Sequence, residues 1–342
     1  MASFAETLLR WYDAHRRVLP FRGTHDPYRV WLSEIMLQQT RTETVGAYYT
    51  RFLAQFPDVF ALAAADEQDI LKAWEGLGYY SRARNLLKAA RTVVNDFHGE
   101  FPHDAETLRT LSGVGEYTAA AIASIAFDAP APAMDGNLTR VLCRVYGVRE
   151  DASMPSAKRK LRELAQAAMP KTRCGEFNQA LMDIGATICT PGTPDCEHCP
   201  LTAFCDAEKE GDAELLPVLP VKQPPKEIFL NVLLLTCKDK IYLIKRRENL
   251  LNGLYVYFLT EDEPNIVLQK NGLKAAYLRD LGTARHAFTH RIWQMHICHA
   301  EITAIPDFMT NDFYTLDEMN ALPIPTAMRA ARGFAREILA RD

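Results

Sequence analysis

The stretch Leu111-Ser112-Gly113-Val114-Gly115-Glu116-Tyr117-Thr118 runs without a break into the alanine-rich segment Ala119 to Ala126, and it decides how the first part of the chain is read. Two glycines flanking Val114 permit a tight reversal between helices, because glycine adopts positive φ without the clash a Cβ brings. They also leave the first backbone N–H groups of the following helix uncovered, where a phosphate can sit. A plain helix–helix turn has the same look. Further along, Asp135-Gly136-Asn137 precedes the helical run Leu138 to Tyr146, and a carboxylate there is a natural N-cap. The helix dipole and its free N–H groups favour the ionised form of such a carboxylate.

Working outward, apolar residues recur at helical spacing up to about residue 210, as in Phe4, Leu8, Leu9, Trp11 and Tyr12. Turn signals such as Arg22-Gly23-Thr24 and Gly76-Leu77-Gly78 separate these runs, which gives an all-α region of about ten short helices. From Gly211 to Glu227 the texture changes: four prolines and little periodicity indicate an extended linker. Beyond it, Ile228 to Thr236, Lys240 to Lys245 and Ile292 to Ile302 read as strands, with helices around Leu316 to Asn320 and from Ala327 to Ala340. The expected architecture is multidomain: a helical domain over 1–210 with its hairpin at 105–126, a linker over 211–227, and a small α+β domain over 228–342.

Composition bounds the partners. The 342 residues are 48% hydrophobic and 24% charged, with a formal net charge of −4. The first 210 residues carry 23 Lys and Arg against 27 Asp and Glu, and the remainder is balanced at 16 against 16. A nucleic acid would therefore have to be held by local contacts and not by the field of the whole molecule. The longest apolar runs are far short of the ~20 residues a membrane helix needs. Glu6 and Asp13 make the N-terminus unlike a signal or transit peptide, so the cytoplasm is the expected compartment.

Four of the eight cysteines, Cys189, Cys196, Cys199 and Cys205, crowd together with spacing C-x6-C-x2-C-x5-C among Pro191, Gly192, Pro194 and Pro200. Four thiolates on such a loop can close around one tetrahedral zinc ion or the corners of a cubane iron–sulfur cluster. Upstream, Asp26-Pro27-Tyr28-Arg29-Val30-Trp31-Leu32-Ser33-Glu34-Ile35-Met36-Leu37-Gln38-Gln39-Thr40 reads as a helix with proline in its first turn. Glu34 lies among Trp31, Ile35, Met36 and Leu37, half-buried by this pattern. Its pKa should rise, which suits a general acid.

These motifs together resemble the endonuclease III superfamily of helix-hairpin-helix DNA glycosylases. The string from Leu19-Pro20 and Arg22 through Ser33-Glu34 to Gln39-Thr40, with Gly76-Leu77-Gly78-Tyr79-Tyr80-Ser81-Arg82, resembles its MutY-type adenine DNA glycosylases over roughly residues 4 to 208. The resemblance implies a [4Fe-4S] cluster on the four cysteines, and Glu34 and Asp135 as the catalytic pair, with Tyr117 and Asn137 assisting. It places Gln39 and Tyr79 in the base stack and Thr40 at the damaged base. It also puts Arg22, Leu77, Arg82, Gly113 and Gly115 at the DNA, with Arg84 and Lys88 as further basic contacts. Strand-cutting relatives carry lysine where Tyr117 stands; a phenol cannot form a Schiff base, so a monofunctional enzyme is implied. Phe21 replaces a frequent tryptophan, which calls for a packing adjustment.

In the C-terminal domain, Arg285-His286-Ala287-Phe288-Thr289-His290-Arg291 is similar to the lesion-checking loop of the family's Nudix-like domain, with Thr289 replacing serine. The glutamate-rich metal box of Nudix hydrolases is missing, so this domain is expected to read 8-oxoguanine through Phe288, Thr289 and His290 and to hydrolyse nothing. Leu254-Tyr255-Val256-Tyr257-Phe258 departs from the family's pattern, which puts lesion reading in question there. The implied partner is double-stranded DNA carrying A:8-oxoG or A:G mispairs, bound by a monomer. A bifunctional or thymine-mismatch glycosylase and a non-catalytic iron–sulfur DNA-binding regulator are the rival readings.

Overall fold

The structure, a computed structural model, describes residues 2–221 and 223–340. It divides into two compact units, 1–65 with 85–221 and 66–84 with 222–342. The helices of the N-terminal two-thirds are α1 (Phe4–His15), α2 (Pro27–Leu37), α3 (Thr42–Gln55), α4 (Val59–Ala64), α5 (Glu67–Ala73), α6 (Ser81–Asp96), α7 (Ala105–Leu108), α8 (Glu116–Phe127), α9 (Gly136–Val145), α10 (Pro155–Ala168), α11 (Cys174–Thr187) and α12 (Asp206–Glu210). Within the helical unit, α2 packs on α8, and α11 packs on α1, α8 and α9.

Small residues set these distances. Ala119 to Ala123 of α8 are buried, which lets α2 approach closely. On α11 a Cβ at Gly175 would stand 2.5 Å from the Ser124 carbonyl oxygen, and one at Gly185 would stand 2.7 Å from the Asn137 Cβ. Helix α2 starts where Asp26 accepts from the amides of Tyr28 and Arg29, with Pro27 in the first turn. It stops at Leu37, earlier than the sequence pattern suggests: the Gln38 side chain donates to Thr118 Oγ1 at 3.1 Å, and Gln39 has left-handed φ.

In the second unit the strands are β1 (Lys226–Cys237), β2 (Lys240–Tyr242), β3 (Ile244–Lys245), β4 (Tyr255–Val256), β5 (Phe258–Thr260), β6 (Ala275–Ala287), β7 (Arg291–Ile302) and β8 (Phe313–Tyr314). The main sheet has the order β6-β7-β1-β2-β8, with β5 also on β1 and a parallel β1–β7 pair. The helices are α13 (Pro264–Lys270), α14 (Leu316–Ala321) and α15 (Arg329–Leu339). Alternation along β1 sends Val232 and Leu234 to a core shared with Ala331 and Ala335 of α15, and Leu233 and Leu235 to one shared with Val267 and Leu268 of α13. A sheet covered on both faces reads as a continuous apolar run, which is how Val232 to Leu235 looks in sequence.

Three features differ from expectation. Strand β6 carries no apolar alternation because it is a sheet edge with Arg279, Asp280 and Arg285 exposed. The linker begins as a 3-10 turn at Ala213–Leu215 and then packs on the helical unit: Arg144 donates to the Leu216 carbonyl and the Ala152 amide to that of Val218. Residues 66–84 cluster with the C-terminal unit, where Arg332 pairs with Glu75 and the Lys72 ammonium donates to the Asn320 and Leu322 carbonyls.

Candidate active site and nucleic-acid interface

Glu34 is buried to 6% exposure, deeper than the half-burial expected, because nearly every residue of α2 from Tyr28 to Met36 faces protein. The hairpin delivers its partner. With Gly113 at φ 77° and Gly115 as a side-chain-free N-cap, α8 begins so that Tyr117, in its first turn, donates its hydroxyl to Glu34 Oε2 at 2.7 Å. Burial pushes the Glu34 carboxyl up, outweighing the Tyr117 hydrogen bond and the Arg22 charge, and nearby Asp135 adds to the rise. The Tyr117 phenol is held well above its ordinary value by burial and by the two carboxyls.

Asp135 caps α9, accepting from the Leu138 amide at 2.7 Å and from the Asn137 side-chain amide at 2.8 Å. The cap was expected to hold this carboxyl in its ionised form. Burial raises its pKa, while the Leu138 and Asn137 hydrogen bonds favour the ionised form and offset part of that rise. Desolvation wins because an N-cap contributes about 1 kcal/mol while removing a carboxylate from water costs several. Asn137 in turn accepts from Arg140 at 3.0 Å, and Arg140 also donates to the carbonyls of Gly185 and Cys189.

Arg22 does not reach out to solvent. It donates to Tyr12 and Gln179 and pairs with the buried Asp183, which Arg17 also binds at 2.7 Å. Gln179 and Asp183 escaped the sequence reading; their signal was polar side chains inside the apolar run of α11. Phe21 fits by packing edge-on against Tyr49 at 5.8 Å.

The four cysteines surround an internal void that Val141, Arg144, Ile184 and Leu201 also line. Among the described residues, no three His, Cys, Asp or Glu side chains are grouped to hold a single metal ion. Arg144, buried on α9, donates to Cys189 Sγ at 3.3 Å and to the carbonyls of Thr190 and Gly192. A cationic donor aimed at a sulfur, and a void that all four cysteines line, fit an anionic group held by thiolates.

In the second unit, Gly76, Gly78 and Tyr79 have φ of 105°, 71° and 47°, so the segment is a sharp turn with Tyr79 in a region that bulky residues avoid. Tyr79 is 45% exposed, and its hydroxyl lies 2.6 Å from Thr289 Oγ1. Leu77 and Arg82, expected at a DNA surface, are buried: Arg82 donates to the Leu77 and Gly78 carbonyls and braces the turn. Arg84 donates to the Asn252 carbonyl, while Lys88, in the other unit, is exposed. A cleft of about 480 Å³ is lined by this turn, by Asn249 to Asn252, and by His286 to Arg291. There Phe288 packs on Trp293 at 4.9 Å, and Thr289 and His290 are exposed on the β6–β7 turn. Tyr257, one of the departures from the family pattern, is fully buried in the core.

Gln39, at φ 56°, Thr40 and Tyr79 all stand outside helices, and Gln39 and Tyr79 share the left-handed conformation. Among the described residues no helix is long and apolar enough to cross a membrane.

Residues 32–167 match the profile of the HhH-GPD superfamily base excision DNA repair protein, and residues 231–332 that of the NUDIX domain. The adenine DNA glycosylase of Mus musculus is 44% identical over 240 residues, 68% of this chain and 47% of that protein, so the chain spans about half the length of this relative. That of Buchnera aphidicola subsp. Baizongia pistaciae is 33% identical over 94% of both chains. Among solved structures, a thermostable thymine-DNA glycosylase superposes with a TM-score of 0.55 at 32% identity, over 60% of this chain and 95% of that one.

Proposed function

Because the chain belongs to the adenine DNA glycosylase family, we propose that it hydrolyses the N-glycosidic bond of adenine mispaired with 8-oxoguanine or guanine in double-stranded DNA. One observation carries this reading: a buried carboxyl, Glu34, whose pKa burial raises, accepts from Tyr117 on one oxygen and shares its site with Asp135. The extruded adenine takes the Glu34 proton at N7, the bond to the sugar breaks toward the base, and adenine leaves neutral. Asp135 as the anion stabilises the cationic sugar, and Glu34, now a carboxylate, accepts a proton from the attacking water. Tyr117 and Asn137 hold the two carboxyls. With a phenol at position 117 no Schiff base forms, so the strand stays intact.

The cleft of the second unit reads the lesion through Phe288, Thr289 and His290, beside Tyr79, while Gln39 and Thr40 serve the helical unit's DNA face. Cys189, Cys196, Cys199 and Cys205 would hold a [4Fe-4S] cluster, whose four iron–thiolate bonds tie the loop into a fixed shape. Purified protein is then brown with about four irons per chain; stoichiometric zinc would overturn the assignment. The protein acts as a monomer in the cytoplasm.

The decisive assay incubates the protein with A:8-oxoG, A:G and T:G duplexes, followed by alkali. Cleavage of the adenine strand only after alkali is expected. Cleavage without alkali means a lyase, cleavage of the thymine strand means a thymine glycosylase, and no cleavage leaves a DNA-binding regulator.

A further inference from the structure

The helical unit has more acidic than basic residues, yet DNA must be gripped beside the reacting sugar. Arg22 is engaged inside this unit with Asp183, and Arg82 and Arg84 donate to backbone carbonyls in theirs. A different basic surface stands next to the carboxyls. Helix α10 buries Ala157, Leu161 and Ala165, so its body-facing stripe is fixed. Lys158 and Arg162, one turn apart, therefore share another face. Both line a cleft of about 300 Å³ together with Glu116, Tyr117, Met134 and Thr139. Tyr117 is the residue whose hydroxyl rests on Glu34, so the cleft shares a wall with the candidate active site.

The two cations are differently prepared. Arg162 is held at 2.5 Å by Glu116, which fixes its guanidinium at the rim. Lys158, exposed, has no ion-pair partner within 4.0 Å among the described residues, whereas its neighbours Arg159 and Lys160 pair with Glu163 and Glu150. An ammonium with no carboxylate in ion-pair contact, though its charge reaches Asp151, is suited at a roomy cleft beside a buried acid to an anion that arrives with the substrate.

We infer that the cleft between α8 and α10 seats a backbone phosphate of the DNA strand carrying the extruded adenosine, with Lys158 as its charge partner and Arg162 as an oriented second donor. This rests on the glycosylase reading above. The phosphate anchors the sugar on one side while Glu34 and Asp135 work on the other, which makes Lys158 a binding residue and not a catalytic one.

Lys158→Ala should weaken binding to an A:8-oxoG duplex and make the slope of log affinity against log salt shallower by about one. Lys158→Arg should restore the slope, and Lys160→Ala should leave both the slope and single-turnover excision at saturating protein as in the parent. A methylphosphonate scan locates the contact: one neutral linkage beside the adenosine should weaken the parent and have no further effect on Lys158→Ala. If the Lys158→Ala slope equals that of the parent, or if every neutral linkage weakens Lys158→Ala as much as it weakens the parent, the cleft holds no phosphate. A parent that neither excises adenine nor prefers the mispair would instead overturn the glycosylase reading, whatever the slope.

Discussion

Protonation decides what the buried pair can do. Glu34→Gln keeps the size and the bond from Tyr117 but cannot deliver a proton, so single-turnover excision should fall at least ~100-fold with DNA binding intact. Near-parent rates would mean that another group is the acid. Because burial raises the Glu34 pKa, its acid form is lost as the pH climbs through that raised value, and excision should fall on the alkaline side. Stability follows the same sign. A carboxyl whose folded pKa lies above its unfolded one contributes fully below the unfolded value, and that contribution is lost as the pH rises through the folded one. Glu34→Gln should therefore melt higher than the parent at neutral pH, with the gap closing toward pH ~4, the unfolded range. Equal melting temperatures across that range would show that the buried carboxyl carries no cost.

At the scale of elements, α11 positions α9 through a glycine. A methyl at Gly185 would press on the Asn137 side chain that holds Asp135. Gly185→Ala should cost about 1–3 kcal/mol of stability by overpacking and also slow excision at saturating DNA. A melting shift with an unchanged rate would uncouple α11 from Asp135. The β6–β7 turn makes a separate case, since Thr289 meets the strained Tyr79 through a 2.6 Å hydrogen bond. Thr289→Ala should narrow the rate ratio between A:8-oxoG and A:G while sparing most excision on A:8-oxoG. An unchanged ratio would place lesion reading elsewhere.

For the molecule as a whole, the chain folds against its own sequence order, because residues 66–84 belong with the C-terminal unit. A fragment ending at Val221 lacks Arg332 and the Leu322 carbonyl, the partners of Glu75 and Lys72. Limited proteolysis should cut this fragment within 66–84 and leave the full chain intact there; equal protection in both would show that the segment needs no partner. The sequence by itself determined the helical and strand-bearing regions, the hairpin, the cap at Asp135 and the four-cysteine loop, because periodicity, glycine placement and capping are local properties of the chain. Tertiary structure alone decided that Asp135 is desolvated enough to rise, that Arg22 and Arg82 turn inward, and that Lys158 and Tyr117 line one cleft. Those outcomes depend on what packs around each charge, and burial and pairing are set by residues far away in sequence, where local pattern carries no information.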